Sequence, residues 1–315
     1  MNKPSLTRGF CFAFFLGRFG ALFFIAILFG FSINALAQKQ NLQIPTFTTW
    51  LCPENASSRA TDFIGNYRVF APNNAAVLAA FKDIAKRNSG TLFVVGKFPS
   101  KSNFISFGKV SISAESATAG QHELTYENIA LKPSMLKLSY AISPKFKKED
   151  FDLFVDDDVR IAEIIFVENT PDVETARLVE SYLAIKYSIN ISENTKNELR
   201  YYINTDAGKV WDYPTDALYD EEILALGRAD NLKLYQTQTY TTDAENIKLS
   251  FTEDAQLGAM PNVDVANQSL LVLSKKQDQL LHNFCGGTTS KQPWKLNMYN
   301  WQPTNPKRAF LWVDS

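Results

Sequence analysis

Histidine, cysteine and unbalanced charge are all scarce in this chain of 315 residues. Its 2 histidines, His122 and His282, stand in neither a His-Glu-x-x-His nor a Gly-x-Ser-x-Gly setting, so zinc-protease and serine-hydrolase arrangements lack their sequence marks. Only 3 cysteines occur and none forms a Cys-x-x-Cys pair, which leaves neither a dithiol redox motif nor a thiolate zinc site indicated. A formal net charge of -1 provides no global field to draw in nucleic acid or an acidic membrane, and no nucleic-acid partner is expected. Lysines cluster in Lys145-Phe146-Lys147-Lys148, yet Glu149 and Asp150 follow at once, which reads as a solvated loop or edge. No segment recurs at a fixed period, so a solenoid or propeller is not supported. A regular strand–helix alternation is missing too, which argues against a nucleotide-binding parallel sheet. What remains is 45% hydrophobic and 21% charged, the composition of an ordinary globular chain with room for one large domain or two of usual size.

Long apolar runs are likewise absent, with one exception at the start. Lys3 and Arg8 precede an apolar stretch that Arg18 interrupts and that then runs unbroken from Phe19 to Ile33. It ends Asn34-Ala35-Leu36-Ala37-Gln38, with alanines at the two positions where signal peptidase needs small residues. Residues 1–37 therefore read as a signal peptide, and the protein as exported to the periplasm, the cell surface or the extracellular space. The rival reading is a retained anchor, since the apolar core is nearly long enough to span a bilayer. Membrane association is expected only through that segment if it is not cleaved. Beyond it, Cys52 and Cys285 remain. In an oxidising compartment they could close one bridge between the start and end of the mature chain, or they could be two buried thiols.

Along the mature chain strand patterns dominate. Asn74 is placed to cap a helix from Ala75 to Arg87, with Ala76, Ala80, Phe81 and Ile84 inward and Asn88-Ser89-Gly90 as its stop. Short apolar segments follow at Thr91 to Val95, Phe104 to Phe107, Val110 to Ile112, His122 to Tyr126, Leu136 to Ile142 and Phe151 to Val155, a spacing that predicts a sandwich or jelly roll. Ile161 to Val167 reads as a buried strand. Glu168 to Pro171 breaks it, and Thr170 or Asp172 then caps a helix on which Ala176, Val179, Leu183 and Tyr187 recur every three or four residues. The helix is expected to lie against the sheet. Further strand candidates are Arg200 to Ile203, Glu222 to Leu226, Leu232 to Tyr235, Ile247 to Phe251 and Leu270 to Leu273. The polar stretch Asn190-Ile191-Ser192-Glu193-Asn194 suggests a boundary, giving a sandwich over 38–190 and a smaller β-rich unit over 191–315.

The stretch IAEIIFVENTPDVETARLVESYLAIKY, Ile161 to Tyr187, resembles the closing strand and helix of the concanavalin-A-like, laminin-G-like jelly rolls found in surface proteins of Bacteroidota. The following YYINTDAGKVWDYPTDALYDEEILALGRADNLKLYQTQ resembles the poorly characterised β module that commonly succeeds them. Its signposts fall on Tyr202, Trp211, Asp212, Tyr219, Leu226, Gly227, Arg228, Asp230, Leu234, Gln236 and Gln238. Two departures stand out. Asp156-Asp157-Asp158-Val159-Arg160 occupies the place where family members usually carry a glycine, and Ser188 replaces the glycine that usually follows Lys-Tyr, losing an easy left-handed helix stop.

The resemblance implies a mainly β, concanavalin-A-like jelly roll with a docked helix and a smaller β-rich domain behind it. Its small motifs make Trp211, Asp212, Arg228 and Asp230 candidate ligand-binding residues, with Trp211 as a sugar-stacking platform. The structural alternative puts Trp211 in a core and pairs Arg228 with a carboxylate. Asp156, Asp157 and Asp158 supply hard oxygens for a calcium ion, or form a solvated turn, since consecutive side chains in extended backbone point to opposite sides. Glycoside hydrolases occur on such folds, and their paired carboxylates usually come from a Glu-x-Asp-x-x-Glu strand. Glu163 is the nearest approach here and has no acidic neighbour at that offset. The expected function is therefore a non-catalytic exported protein in adhesion, glycan contact or cell-envelope assembly, with glycans or envelope proteins as partners. The alternative is a glycan-degrading enzyme. No C-terminal sorting domain is recognised, which suggests a periplasmic protein or a fragment of a longer one.

Overall fold

Burial alternates along 105–107, 110–112 and 133–141, whereas 90–96 and 161–167 are buried throughout, in the computed structural model. It describes residues 46–53, 62–70, 73–126, 128–141, 153–189, 201–203, 209–212, 221–241, 247–254, 256–275, 283–284, 287–288, 294–302, 304–306 and 308–313. The expected signal peptide, Lys145 to Asp150, the 190–196 boundary, His282 and Cys285 all lie outside these residues. No helix among the described residues is long and apolar enough to cross a membrane.

The fold is mainly β, as expected, with every paired strand antiparallel. The first half contains β1 (Thr49–Leu51), β2 (Phe63–Ile64), β3 (Tyr67–Arg68), α1 (Ala75–Ile84), β4 (Ser89–Lys97), β5 (Ile105–Phe107), β6 (Val110–Ile112), β7 (Ser116–Ala119), β8 (His122–Thr125), β9 (Pro133–Ala141), β10 (Leu153–Val155), β11 (Arg160–Glu168) and α2 (Val173–Tyr187). The second contains β12 (Tyr201–Ile203), β13 (Lys209–Asp212), β14 (Glu221–Ala229), β15 (Leu234–Gln236), β16 (Gln238–Tyr240), β17 (Ile247–Ser250), β18 (Ser269–Lys275), β19 (Asn283–Phe284), β20 (Gly287–Thr288), β21 (Trp294–Tyr299) and β22 (Phe310–Val313). In the first half a sheet ordered β1-β11-β4-β9 faces one ordered β10-β5-β6-β7-β8. Leu92, Val94, Leu138, Ile164 and Phe166 from the first meet Phe104, Phe107 and Ile112 from the second, and α1 closes the same core with Val77, Phe81 and Ile84.

Helix α1 begins where expected, since the Asn74 side chain accepts from the Ala76 N–H at 2.9 Å. Val77 rather than Ala76 is its first buried residue. Its stop is not Ser89-Gly90, which already belong to β4. Gly90 is required there because the Phe166 ring and the Val167 carbonyl approach so closely that a Cβ would sit 2.2 Å from Phe166 Cζ.

The opposite face of the β4–β11 sheet carries α2, and α2 is covered again by the second module. Phe93, Val95, Ile165 and Val167 on one side and Ile223, Ala225, Leu270 and Val272 on the other join the helix in one apolar cluster. Every residue from Ala176 to Tyr187 is buried, so α2 is a central helix between two sheets rather than an amphipathic one docked on a surface. Beyond it, the sheet β15-β14-β18-β21 sends Leu224, Leu226, Leu271 and Leu273 to a third cluster, shared with Ile247 and Leu249 of β16-β17-β22. Strands β1 to β11 precede α2 in the chain and β12 to β22 follow it. The core does not divide, and 41–315 is one compact unit.

Asp172 is the N-cap of α2, its carboxylate accepting from the Thr175 N–H at 2.7 Å. Ser188 ends the helix in the left-handed region, φ 55°, without the glycine usual in the resemblance. Its hydroxyl meets that of Thr239 on β16, a bond glycine could not make.

Candidate functional site

A bulge in β11 decides where its one acidic residue points. Ile161 pairs with Gly96 and Glu163 with Val95, so Ala162 is an extra residue in the ladder. Strict alternation would send Glu163 into the sandwich beside Ile161. The bulge turns Ala162 and Glu163 together toward α2 instead.

There Glu163 is 0% exposed and meets four donors. Its Oε1 accepts from Trp50 Nε1 at 2.6 Å and from the Tyr182 hydroxyl at 3.0 Å. Its Oε2 accepts from the Tyr187 hydroxyl at 2.7 Å and pairs with Lys186 Nζ at 3.1 Å. Lys186, itself buried, also donates to the Tyr182 hydroxyl at 3.1 Å and lies 4.7 Å from the Tyr67 ring centre. Burial, and then the Glu163 charge, hold the Tyr182 and Tyr187 hydroxyls well above the usual phenol range. Tyr67 extends the cluster into the second module through Gln236, which also caps the carbonyls of Ile185 at 3.0 Å and Ala225 at 2.8 Å. A carboxylate so saturated, in a water-excluded core, is a structural ion pair and not a glycosidase acid or base.

The residues expected to bind a ligand fall in separate places. Trp211 is 2% exposed and packs in the cluster around α2, so no ring face is open for a sugar and the stacking expectation is overturned. The adjacent Asp212 backbone pairs with Tyr201. Arg228 and Asp230 do come together: Nε and Nη2 donate to the two carboxylate oxygens at 2.6 and 2.9 Å, an exposed fork at the end of β14. Of the aromatics in the second half, Trp294 and Trp301 pack against the third cluster and Tyr299 against the first.

Asp156, Asp157 and Asp158 do not converge on a point a calcium ion could fill. Lys101 Nζ donates to both oxygens of Asp156 at 2.8 Å and to Asp158 at 2.9 Å, while Asp157 accepts from the Asn73 amide. Lys101 thus stands where a cation would, and its bond holds the Asp156 carboxyl below the usual range. Among the described residues no three His, Cys, Asp or Glu side chains gather as metal ligands. Cys52 is buried. Its expected bridge to Cys285 falls outside the described residues.

Sequence reasoning missed the wall that faces Arg228 and Asp230. Residues 256–266 have no regular structure yet are pinned along their length. Asn66 of the β2–β3 turn accepts from the Gly258 N–H and donates to the Ala259 carbonyl, each at 2.8 Å, and Gln238 also donates to that carbonyl. Gly258 takes φ 79° against the Phe63 ring, where a Cβ would come within 2.7 Å. Thr237 donates to the Pro261 carbonyl at 2.8 Å, and the Tyr235 hydroxyl donates to the Val263 carbonyl at 2.5 Å and accepts from its N–H at 3.0 Å. The result is an open cleft of about 660 Å³ lined by Arg228, Asp230, Tyr235, Asn262, Val263 and Asp264.

Fold and sites together describe an antiparallel β protein with α2 buried between its sheets, an internal ion-pair cage at Glu163 and a surface cleft at Arg228 and Asp230. Residues 175–307 match the family model described as a domain of unknown function (DUF8202). The matched segment starts inside α2, so it holds Lys186 and the cleft but not Glu163, the lysine's buried partner. No curated protein matches the chain. No solved structure matches it either.

Proposed function

We propose that this chain is an exported, non-catalytic β-sandwich protein acting in adhesion, glycan contact or cell-envelope assembly, of concanavalin-A-like kinship in its first half. The observation that supports this reading is the fate of Glu163. The one carboxylate that a glycosidase reading would start from is 0% exposed and fully occupied by Trp50, Tyr182, Tyr187 and Lys186. The cleft on the second module, by contrast, is built as a rigid receptor: its polar groups are exposed and its loop is held from several sides. A body whose modules share a core suits a role in holding partners at a fixed spacing.

The test is a glycan array with isothermal titration, run beside a reducing-sugar assay on the same polysaccharides. The expected result is no new reducing ends with any substrate, whether or not binding is seen. Turnover that a single carboxylate substitution abolishes would overturn the proposal.

A further inference from the structure

The geometry points to the cleft between the Arg228–Asp230 fork and the 262–264 segment as a binding site for an uncharged polyhydroxylated ligand, the edge of a neutral glycan. This deepens the reading above and rests on it. The fork commits Nε and one Nη2 hydrogen of Arg228 to Asp230, and the Nη1–H contact to the Val265 carbonyl is long at 3.4 Å. Guanidinium N–H groups therefore remain on the cleft side, next to carboxylate lone pairs of Asp230. A pair of neighbouring hydroxyls matches that edge, one accepting from the guanidinium and the other donating to the carboxylate. Tyr235 spends its hydroxyl on Val263, which fixes the ring as a wall of the cleft. Asn262 adds an exposed amide.

Charge selects within this chemistry. One guanidinium faces two carboxylates, Asp230 and the exposed Asp264, and the Asp264 charge is close enough to act on Arg228. Among the described residues lining the cleft Arg228 is the one cation, and its fork already pairs it with Asp230, so an anionic sugar meets two carboxylates at the rim while a neutral one keeps every hydrogen bond. Preorganisation adds to this. Asn66, Thr237, Tyr235 and Gln238 already hold the loop, so little ordering entropy is lost on binding.

The experiment is amide chemical-shift mapping of the whole protein with neutral cello-, xylo- and manno-oligosaccharides, and with oligogalacturonate as the anionic arm. At least one neutral series is expected to shift Asn262, Val263 and Asp264, with Arg228→Met weakening it tenfold or more. Oligogalacturonate should leave these residues unmoved until Asp264→Asn removes part of the rim charge. Neutral sugars that shift only residues elsewhere, or none, would overturn the inference, as would binding of oligogalacturonate at this cleft by the unsubstituted protein. The wild-type map decides the matter even if a variant misfolds. None of these outcomes bears on turnover, which alone overturns the non-catalytic reading.

Discussion

Two ion pairs, Glu163–Lys186 and Arg228–Asp230, fall one in each of the two stretches of sequence that carry the resemblance, and they do opposite work. The first is buried on all sides, and its charges meet three phenol or indole donors and an aromatic wall. The second is exposed, its side chains joined to each other by the fork and Arg228 making one long contact to the Val265 carbonyl. A buried pair is costly to break because the survivor is stranded without water, whereas an exposed pair loses little because water replaces the partner. Motif residues are therefore not all site residues. Here Glu163, Lys186 and Tyr187 hold the core, and Arg228 and Asp230 face the solvent.

The contrast can be broken most severely at the buried pair. Lys186→Met should cost about 3–5 kcal/mol, because it leaves the Glu163 carboxylate unpaired in the core. Adding Glu163→Gln should recover part of that loss, a non-additivity that urea unfolding of the three variants would measure. The sandwich and the second module should lose structure together in those curves. Leu183→Ala, one turn before Lys186 in the shared core, should cost about 2–5 kcal/mol by the same measurement, with tertiary signals of both halves falling at one midpoint.

Smaller effects sharpen the same boundary. Asp172→Ala removes the cap of α2 and should cost about 1 kcal/mol. Its carboxyl is held below the usual range by the Thr175 backbone and side-chain bonds, so the folded value is depressed. Its stabilisation is accordingly complete above the unfolded value of 3.8 and is lost as pH falls through the folded value. Thermal melts of wild type and Asp172→Ala should converge at the most acid pH. At the other extreme Tyr182 and Tyr187, with raised values, should help unfold the protein as pH climbs above 10, where the unfolded phenols ionise first. Arg228→Met is the smallest effect. It should leave the melting temperature within the scatter of replicates, which calorimetry can check.

Much of this was legible before the structure, wherever a period of two or of three to four residues ran without interruption. The strand through Val167, which the structure extends by one residue to Glu168, Asp172 as one of two cap candidates, and the end of α2 at Tyr187 follow from that pattern. It failed where one residue changed the count or where packing overrode composition. Ala162 bulges, so Glu163 faces the helix, and no alternation rule shows that. Gly90 resembles a helix stop in sequence but is a contact point for Phe166. Ser116-Ala117-Thr118-Ala119 forms β7 although its two alanines disfavour strand, held between β6 and β8. Trp211 carries the sugar-platform chemistry, yet its apolar area draws it into the core. The 256–266 segment has no period at all. Its order comes from Asn66, Tyr235, Thr237 and Gln238, residues far away in the chain whose convergence only the fold reveals.

Differential scanning calorimetry of the whole chain tests the shared core most directly. If sheets on both sides of α2 bury one continuous cluster around Glu163 and Lys186, heating should give a single transition with matching calorimetric and van't Hoff enthalpies, moved down as a whole by Lys186→Met. Two separate transitions, only one of them shifted by that substitution, would contradict it.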